Sequence, residues 1–315
     1  MEKRNRKHKR LGRLICVILI VALLCGIGFW NEKRAEPLLP TWRQVFSFFG
    51  LTGEEKALQV PDGQLRIDFL DVGNADAAVI RQGDRTLLID AGNAADAGSI
   101  LTFLDAAGVK KLNYVIATHF DEDHVGGMEQ VIRRFPPEKL IWSLSDKTAD
   151  SALSLQLQQT VAELQTTAVT AVPGTVYPLG EAEWLVLGPS FAYDDDNNNS
   201  VVCRVSFGSR GFLFMGDAAL KAEQDTMELW GDCLPSDLIK VGHHGSADST
   251  NIHFLRKVAP QYAILTCGAG NLYGHPHAAL LRRLSSCGIQ VLRSDEKGRI
   301  TVMTDGKSME IFTEK

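Results

Sequence analysis

The sequence predicts an α/β domain in which two β-sheets pack face to face with helices on the outside, preceded by one membrane-spanning helix. Three observations lead there. Short apolar strand-like runs alternate with helical patterns in both halves of residues 61–315. The stretch of about 255 residues is long enough for one large core. A charge-free apolar run stands near the N-terminus, directly after a cluster of cations.

The chain divides by composition. Residues 1–13 hold seven Lys/Arg against one acid, leaving 26 basic and 37 acidic residues in positions 14–315, a balance of −11. Leu14 to Trp30 carries no charge over 17 residues. At about 1.5 Å per residue this reaches the short end of a transmembrane helix. The preceding cations place the N-terminus in the cytoplasm. No small-residue cleavage site closes the run, so an uncleaved anchor is favoured over a signal peptide. Either reading puts the body outside the cytoplasm. Residues 31–60 form a linker: Pro37 and Pro40 stop any helix leaving the membrane. The aromatic segment from Thr41 to Leu51 suits either the bilayer surface or a packed linker. With 45% hydrophobic and 23% charged residues, the chain is neither disordered nor a polytopic membrane protein. Its acidic body is no general trap for nucleic acid, so any phosphate it handles needs local positive charge. Six cysteines without paired spacing make no disulfide scaffold.

The body reads element by element. LRIDFLD, from Leu65, alternates apolar and polar residues, the pattern of a half-buried strand. AAVIR and TLLID follow around a Gln82-Gly83-Asp84 turn. Residues 97–106 have helical apolar spacing, and LNYVIAT is a buried strand. MEQVIRRF is a helix closed by Pro136-Pro137, with strand KLIWS beyond it, and Ala152 to Leu164 is a helix. Four or five short strands lead to Met215. Helix 219–230, strand DLIKVG, helix 251–258, strand YAILTC, helix 277–286 and three closing strands complete the chain.

Chemistry gathers at strand ends. THFDEDHVGG follows an apolar strand and offers His119, Asp121, Asp123 and His124 within six residues. In an extended segment His119 and Asp121 point to one side, and a turn can bring Asp123 and His124 to the same pocket. Gly126-Gly127 permits close backbone approach and opens a helix. LLIDAG places Asp90, FLFMGDA places Asp217, and LIKVGHHGS places His243 and His244 at further strand ends. Taken singly, Asp90 and Asp217 could be turn or capping residues. A His pair before Gly-Ser has no packing use.

This set resembles the metallo-β-lactamase fold superfamily, whose HxHxDH motif stands here as HFDEDH. Within it, the chain is similar to the extracytoplasmic hydrolase domain of the competence DNA-uptake (ComEC-like) family. DVGNADA, LLIDAG, THFDEDHVGG, NNNSVV, GDA, KVGHHGS and YGHPH carry the likeness across about residues 65–305. The resemblance implies a four-layer αβ/βα sandwich with two divalent metal ions, Zn²⁺ or Mn²⁺. One ion would be held by His119, Asp121 and Asp217, the other by Asp123, His124, Asp217 and His243, with Asp217 bridging. Asp90 would fix the tautomer of a ligand histidine. Asp121 replaces a histidine, and no histidine stands between the motif and Asp217. That makes the first site oxygen-rich and short of ligands, and Asn199 could complete it or orient substrate. Asp123, His244 and His275 are the candidate catalytic residues, the histidines for binding phosphate or protonating a leaving oxygen. Ser246 could hydrogen-bond substrate or cap a helix. The expected function is a membrane-anchored, extracytoplasmic phosphodiesterase or nuclease using an activated water, with DNA a possible substrate. A hydrolase of a cell-envelope phosphodiester, or a non-enzymatic competence scaffold, are the alternatives.

Overall fold

The computed structural model describes residues 58–143 and 149–315. The expected cytoplasmic tail, the membrane span 14–30 and nearly all of the linker lie outside the described residues. Among those described, no helix is long and apolar enough to cross a membrane. Val60–Lys315 form one compact unit.

Two sheets build that unit. The first comprises β1 (Leu65–Phe69), β2 (Ala78–Gln82), β3 (Arg85–Ile89), β4 (Leu112–Ala117), β5 (Pro137–Trp142) and β6 (Thr167–Thr170), extended beyond β1 by β14 (Ile300–Thr304) and β15 (Met309–Thr313). Its order is β15-β14-β1-β2-β3-β4-β5-β6. The second comprises β7 (Val176–Leu179), β8 (Ala182–Gly188), β9 (Val202–Phe207), β10 (Arg210–Phe214), β11 (Leu238–Lys240), β12 (Tyr262–Leu265) and β13 (Gln290–Arg293), in the order β13-β12-β11-β10-β9-β8-β7. Each sheet has an antiparallel half and a parallel half. β3 to β6 run parallel in the first, β10 to β13 in the second. The helices are α1 (Ala97–Ala106), α2 (Glu122–Val125), α3 (Met128–Arg134), α4 (Ala152–Glu163), α5 (Leu220–Trp230), α6 (Ile252–Val258), α7 (Ala278–Ser286) and α8 (Ser294–Lys297).

Side-chain alternation along the strands explains the layers. Ile67, Phe69, Ile80, Leu87 and Ile116 meet Trp184, Val205, Phe212 and Phe214 between the sheets. Phe69 stacks on Phe214 with ring centres 5.7 Å apart. On the far face of the second sheet, Leu213, Ile239 and Ala263 pack under Phe254 and Leu255 of α6 and Leu280 and Leu284 of α7. Each fully buried side chain of this size contributes about 1.5–3 kcal/mol.

One strand departs from its expected pattern. β1 is buried on both faces, polar residues included. Arg66 pairs with Asp68 at 2.8 Å, and Asp68 also takes Arg81 at 3.3 Å and the Thr301 hydroxyl at 2.7 Å. The alternation was real, but its polar face is covered and its charges are matched by residues on neighbouring strands. Buried charge persists where it is paired and hydrogen-bonded.

The Gly126-Gly127 pair does what close approach requires. A Cβ on Gly127 would lie 2.3 Å from the carbonyl oxygen of Ala91. Gly127 N–H also donates to Gly92 O at 3.0 Å, tying the loop after β4 to the loop after β3. Gly127→Ala is expected to lower unfolding stability by about 1–3 kcal/mol through overpacking, read from the urea midpoint. An unchanged midpoint would show that the two loops are not locked here.

Candidate metal centre

Six strand-end segments of the two sheets converge at one edge of the sandwich. Asp90 follows β3, Thr118 and His119 follow β4, and Ser200 precedes β9. Asp217 follows β10, His243 and His244 follow β11, and Thr266 follows β12. Parallel strands deliver their C-terminal ends to a common crevice, where open α/β sheets place ligands.

The histidine-rich loop supplies the first wall. His119 and His124 stack obliquely, ring centres 4.1 Å apart. His124 is fully buried; its Nδ1 lies 2.7 Å from Asp90 Oδ2. Asp90 is itself fixed, accepting from Thr118 N–H at 2.9 Å and from the Thr118 hydroxyl at 2.7 Å. This holds the His124 ring so that Nε2 faces the crevice, 3.2 Å from Asp217 Oδ1. Asp121 is half-exposed, its Oδ2 3.5 Å from His119 Nε2. Asp121 and Asp123 head the short helix α2.

The second sheet supplies the opposite wall. Asp217, 3% exposed, donates its N–H to Ser200 Oγ at 3.0 Å. His244 is buried, with Nε2 3.2 Å from Asp123 Oδ2 and 3.6 Å from Asp217 Oδ2. Its Nδ1 donates to the carbonyl oxygen of Thr266 at 2.8 Å, which leaves Nε2 as the lone-pair nitrogen. His243 stands farther out, Nε2 3.9 Å from Asp217 Oδ2, and is more exposed. His275 lies beside His243 with ring centres 5.4 Å apart. Asp90, His243 and His244 all have left-handed backbone, φ 57°, 51° and 49°. Such strain costs about 1–3 kcal/mol per residue and collects where side chains must be aimed.

Electrostatics follow from the packing. Burial works against every charge here, yet the Asp217 and Asp76 carboxylates bring His244 up to about 9. Against the same cost of burial, Asp217 and Asp90 hold His124 well above its ordinary value. In turn His124 and His244 overcome burial and keep Asp217 well below the carboxylate range. Burial, helped by the neighbouring His243, His244 and His277, lowers His275 to about 4.

The donor set fits divalent cations. Nε2 of His119, His124 and His244 and Oδ1 of Asp217 are all buried without a hydrogen-bond partner. Unsatisfied buried polar atoms are rare, and here they converge on one space. His119, His124 and Asp217 offer ligand atoms within 4.8 Å of one another, and so do Asp123, His124 and His244. These His/Asp clusters are compatible with a binuclear divalent metal site.

Not every candidate faces the centre. The Asn199 side chain is consumed by its own loop, accepting from Tyr193 N–H and donating to the carbonyls of Tyr193 and Asp195. Its neighbour Ser200 reaches in instead, with Oγ 3.4 Å from His119 Nδ1. Ser246 donates to Asp248 within its own turn. Thr118, Ser200, Asp76, Lys240 and Thr266 were not singled out from the sequence. Asp76 sits in DVGNADA, and Lys240 is the lone charge in the apolar run LIKVG. A charge inside a buried strand was the available signal for Lys240.

Asp90→Asn tests the support behind His124. Loss of such a partner weakens metal binding by about 10–100-fold. Isothermal titration with Mn²⁺ is expected to show it with the melting temperature of the metal-free protein little changed. Unaltered affinity would mean that Asp90 serves the fold alone.

Residues 70–268 match the metallo-beta-lactamase superfamily. ComE operon protein 3 of Bacillus subtilis is 30% identical over 258 residues, 74% of this chain and 32% of that protein. Competence protein ComA of Neisseria gonorrhoeae is 30% identical over 288 residues, 91% of this chain and 37% of that protein. The chain therefore spans about a third of the length of these relatives. Among solved structures, the metallo-beta-lactamase fold protein YhfI of Bacillus subtilis superposes with a TM-score of 0.51 at 13% identity, covering 76% of this chain and 99% of that one.

Proposed function

The chain belongs to the metallo-beta-lactamase superfamily as a metal-dependent hydrolase related to competence proteins, and we propose that it cleaves phosphodiester bonds, with DNA strands as substrate. The observation that carries this reading is the convergence of buried ligand atoms without hydrogen-bond partners on His119, His124, His244 and Asp217 at the mouth of two sheets. Two divalent ions held there by these residues would supply Lewis acidity and make water more acidic. The oxygen-rich share of ligands, from Asp121, Asp123 and Asp217, suits Mn²⁺ as well as Zn²⁺.

The protein's own groups do the rest. Asp90 and the Thr266 carbonyl orient His124 and His244, so neither ring has to reorganise when ligands arrive. His244 takes the ligand position on the second sheet, and His243, farther out, faces substrate. His275, lowered to about 4, is neutral at physiological pH and suits a hydrogen bond to a phosphate oxygen more than delivery of a proton. The competence names of the relatives favour nucleic acid among phosphodiesters. The acidic body favours a second reading, a small or envelope phosphodiester, since it repels a long polyanion. The uncharged run Leu14 to Trp30 after seven cations supports anchoring with the domain outside the cytoplasm.

The test is hydrolysis of single-stranded DNA and of bis(4-nitrophenyl) phosphate by metal-stripped protein resupplied with Mn²⁺ or Zn²⁺. Cleavage of both, abolished by chelator, is expected. Cleavage of the small diester alone favours the second reading. Bound metal without turnover of either would make the domain a scaffold.

A further inference from the structure

The loop after β12 carries Leu272 and Tyr273 out into solvent. Tyr273 is 69% exposed and Leu272 wholly so. Large exposed side chains are ordinary on a slack loop, but this loop is held. The Asn271 side chain donates to the carbonyl oxygen of Gly268 at 2.9 Å and to that of His275 at 2.6 Å, and it accepts from His275 N–H at 3.0 Å. Ala247 N–H donates to Nδ1 of His277 at 2.9 Å. The ring proton of His277 therefore sits on Nε2, which donates to the carbonyl oxygen of Tyr273 at 3.1 Å. The loop is tied both to itself and to the turn that follows His244. One face of the Tyr273 ring lies on His275, with ring centres 5.6 Å and planes 20° apart, and the exposure leaves the other face to solvent. His275 in turn lies against both histidines of the opposite wall, 5.4 Å from His243 and 6.4 Å from His244 between ring centres. A row of rings thus leads from the metal centre to an open aromatic face.

We propose that Tyr273 is a specificity residue: its open face stacks a nucleobase of a single-stranded substrate whose neighbouring phosphate occupies the metal centre. Stacking needs a flat ring with one face free, and Tyr273 presents one beside the site. Because the loop is already braced, little freedom is lost when a base arrives. Charge favours the same occupant. An acidic body gives a strand little long-range attraction, so its affinity must come from contacts that do not depend on charge. Bases inside a duplex cover one another's faces, so the platform selects unpaired strands. The inference rests on the phosphodiesterase reading and deepens it, naming the substrate class as a base-bearing strand rather than a bare envelope polymer.

The experiment compares the parent, Tyr273→Ala and Tyr273→Phe as full chains loaded with Mn²⁺. Each is given two short fluorescein-labelled strands of equal length, oligothymidylate and the same strand with every base replaced by hydrogen. The parent is expected to favour the base-bearing strand by about tenfold or more in kcat/KM, carried by KM rather than kcat. Tyr273→Ala should bring that ratio to within about threefold of unity, and Tyr273→Phe should keep it. A tyrosine that only props His275 slows both strands alike and leaves the ratio as it was. A tip that serves a bilayer or a protein partner also leaves it as it was. An unchanged ratio in Tyr273→Ala therefore overturns the proposal, as does a parent indifferent to the bases. Loss of the ratio in Tyr273→Phe would assign the effect to the hydroxyl and overturn stacking. Should the parent cleave neither strand, the DNA-cleavage reading fails by itself. Fluorescence anisotropy with the same strands and proteins then supplies the ratio as Kd, judged by the same outcomes.

Discussion

Asp217→Asn is expected to abolish metal-dependent hydrolysis, lowering turnover by more than about 100-fold and leaving the purified protein short of metal. The size of the effect comes from position. The carboxylate is buried, with one oxygen 3.2 Å from His124 and the other 3.6 Å from His244. It therefore stands between the two ligand sets and belongs to both walls. Asparagine keeps the shape, and the backbone N–H to Ser200 Oγ is untouched, so the turn after β10 persists. What disappears is the charge that holds the site together with or without metal. Elemental analysis and turnover of a simple diester check this together. Parental metal content in Asp217→Asn would remove Asp217 from the ligand set.

The second large effect separates two neighbours. His244→Ala is expected to lower turnover by more than about 100-fold, and His243→Ala by no more than about tenfold. Only His244 has its Nδ1 anchored, to the Thr266 carbonyl, and its Nε2 aimed at Asp123. A pH signature accompanies the difference. In the metal-free protein His244 is raised to about 9, from an ordinary value near 6.5. Its protonated form thus stabilises the fold fully below about pH 6.5, and that contribution is lost as pH rises through about 9. Urea unfolding in chelator should show stability falling across this window in the parent and less steeply in His244→Ala. Divalent metal should reverse the fall, since it displaces the proton from the same nitrogen. Equal losses from the two alanine variants would reject the assignment.

Much of this centre was legible because its residues follow apolar strands. HFDEDH, Asp90 and Asp217 begin within three residues of the ends of β4, β3 and β10, and strand ends can be read from apolar runs. The choice within His243-His244 was not legible. Both residues adopt left-handed backbone, and which ring turns inward depends on the Thr266 carbonyl, 22 residues away. Ser200 rather than Asn199 faces His119 because Asn199 closes its own loop, a local hydrogen-bond pattern that composition does not reveal. Asp76 and Lys240 are 164 residues apart and meet only when the two sheets close. For the same reason the burial of Arg66 and Asp68 escaped the alternating pattern of β1: Thr301, 233 residues from Asp68, completes their network.

Anomalous scattering from a Mn²⁺-soaked crystal of this protein tests the centre most directly. Two peaks are expected, one within bonding distance of His119 and Asp217, the other of Asp123, His124 and His244. A crystal with no peak between these side chains, or with a single peak elsewhere on the molecule, would contradict the account.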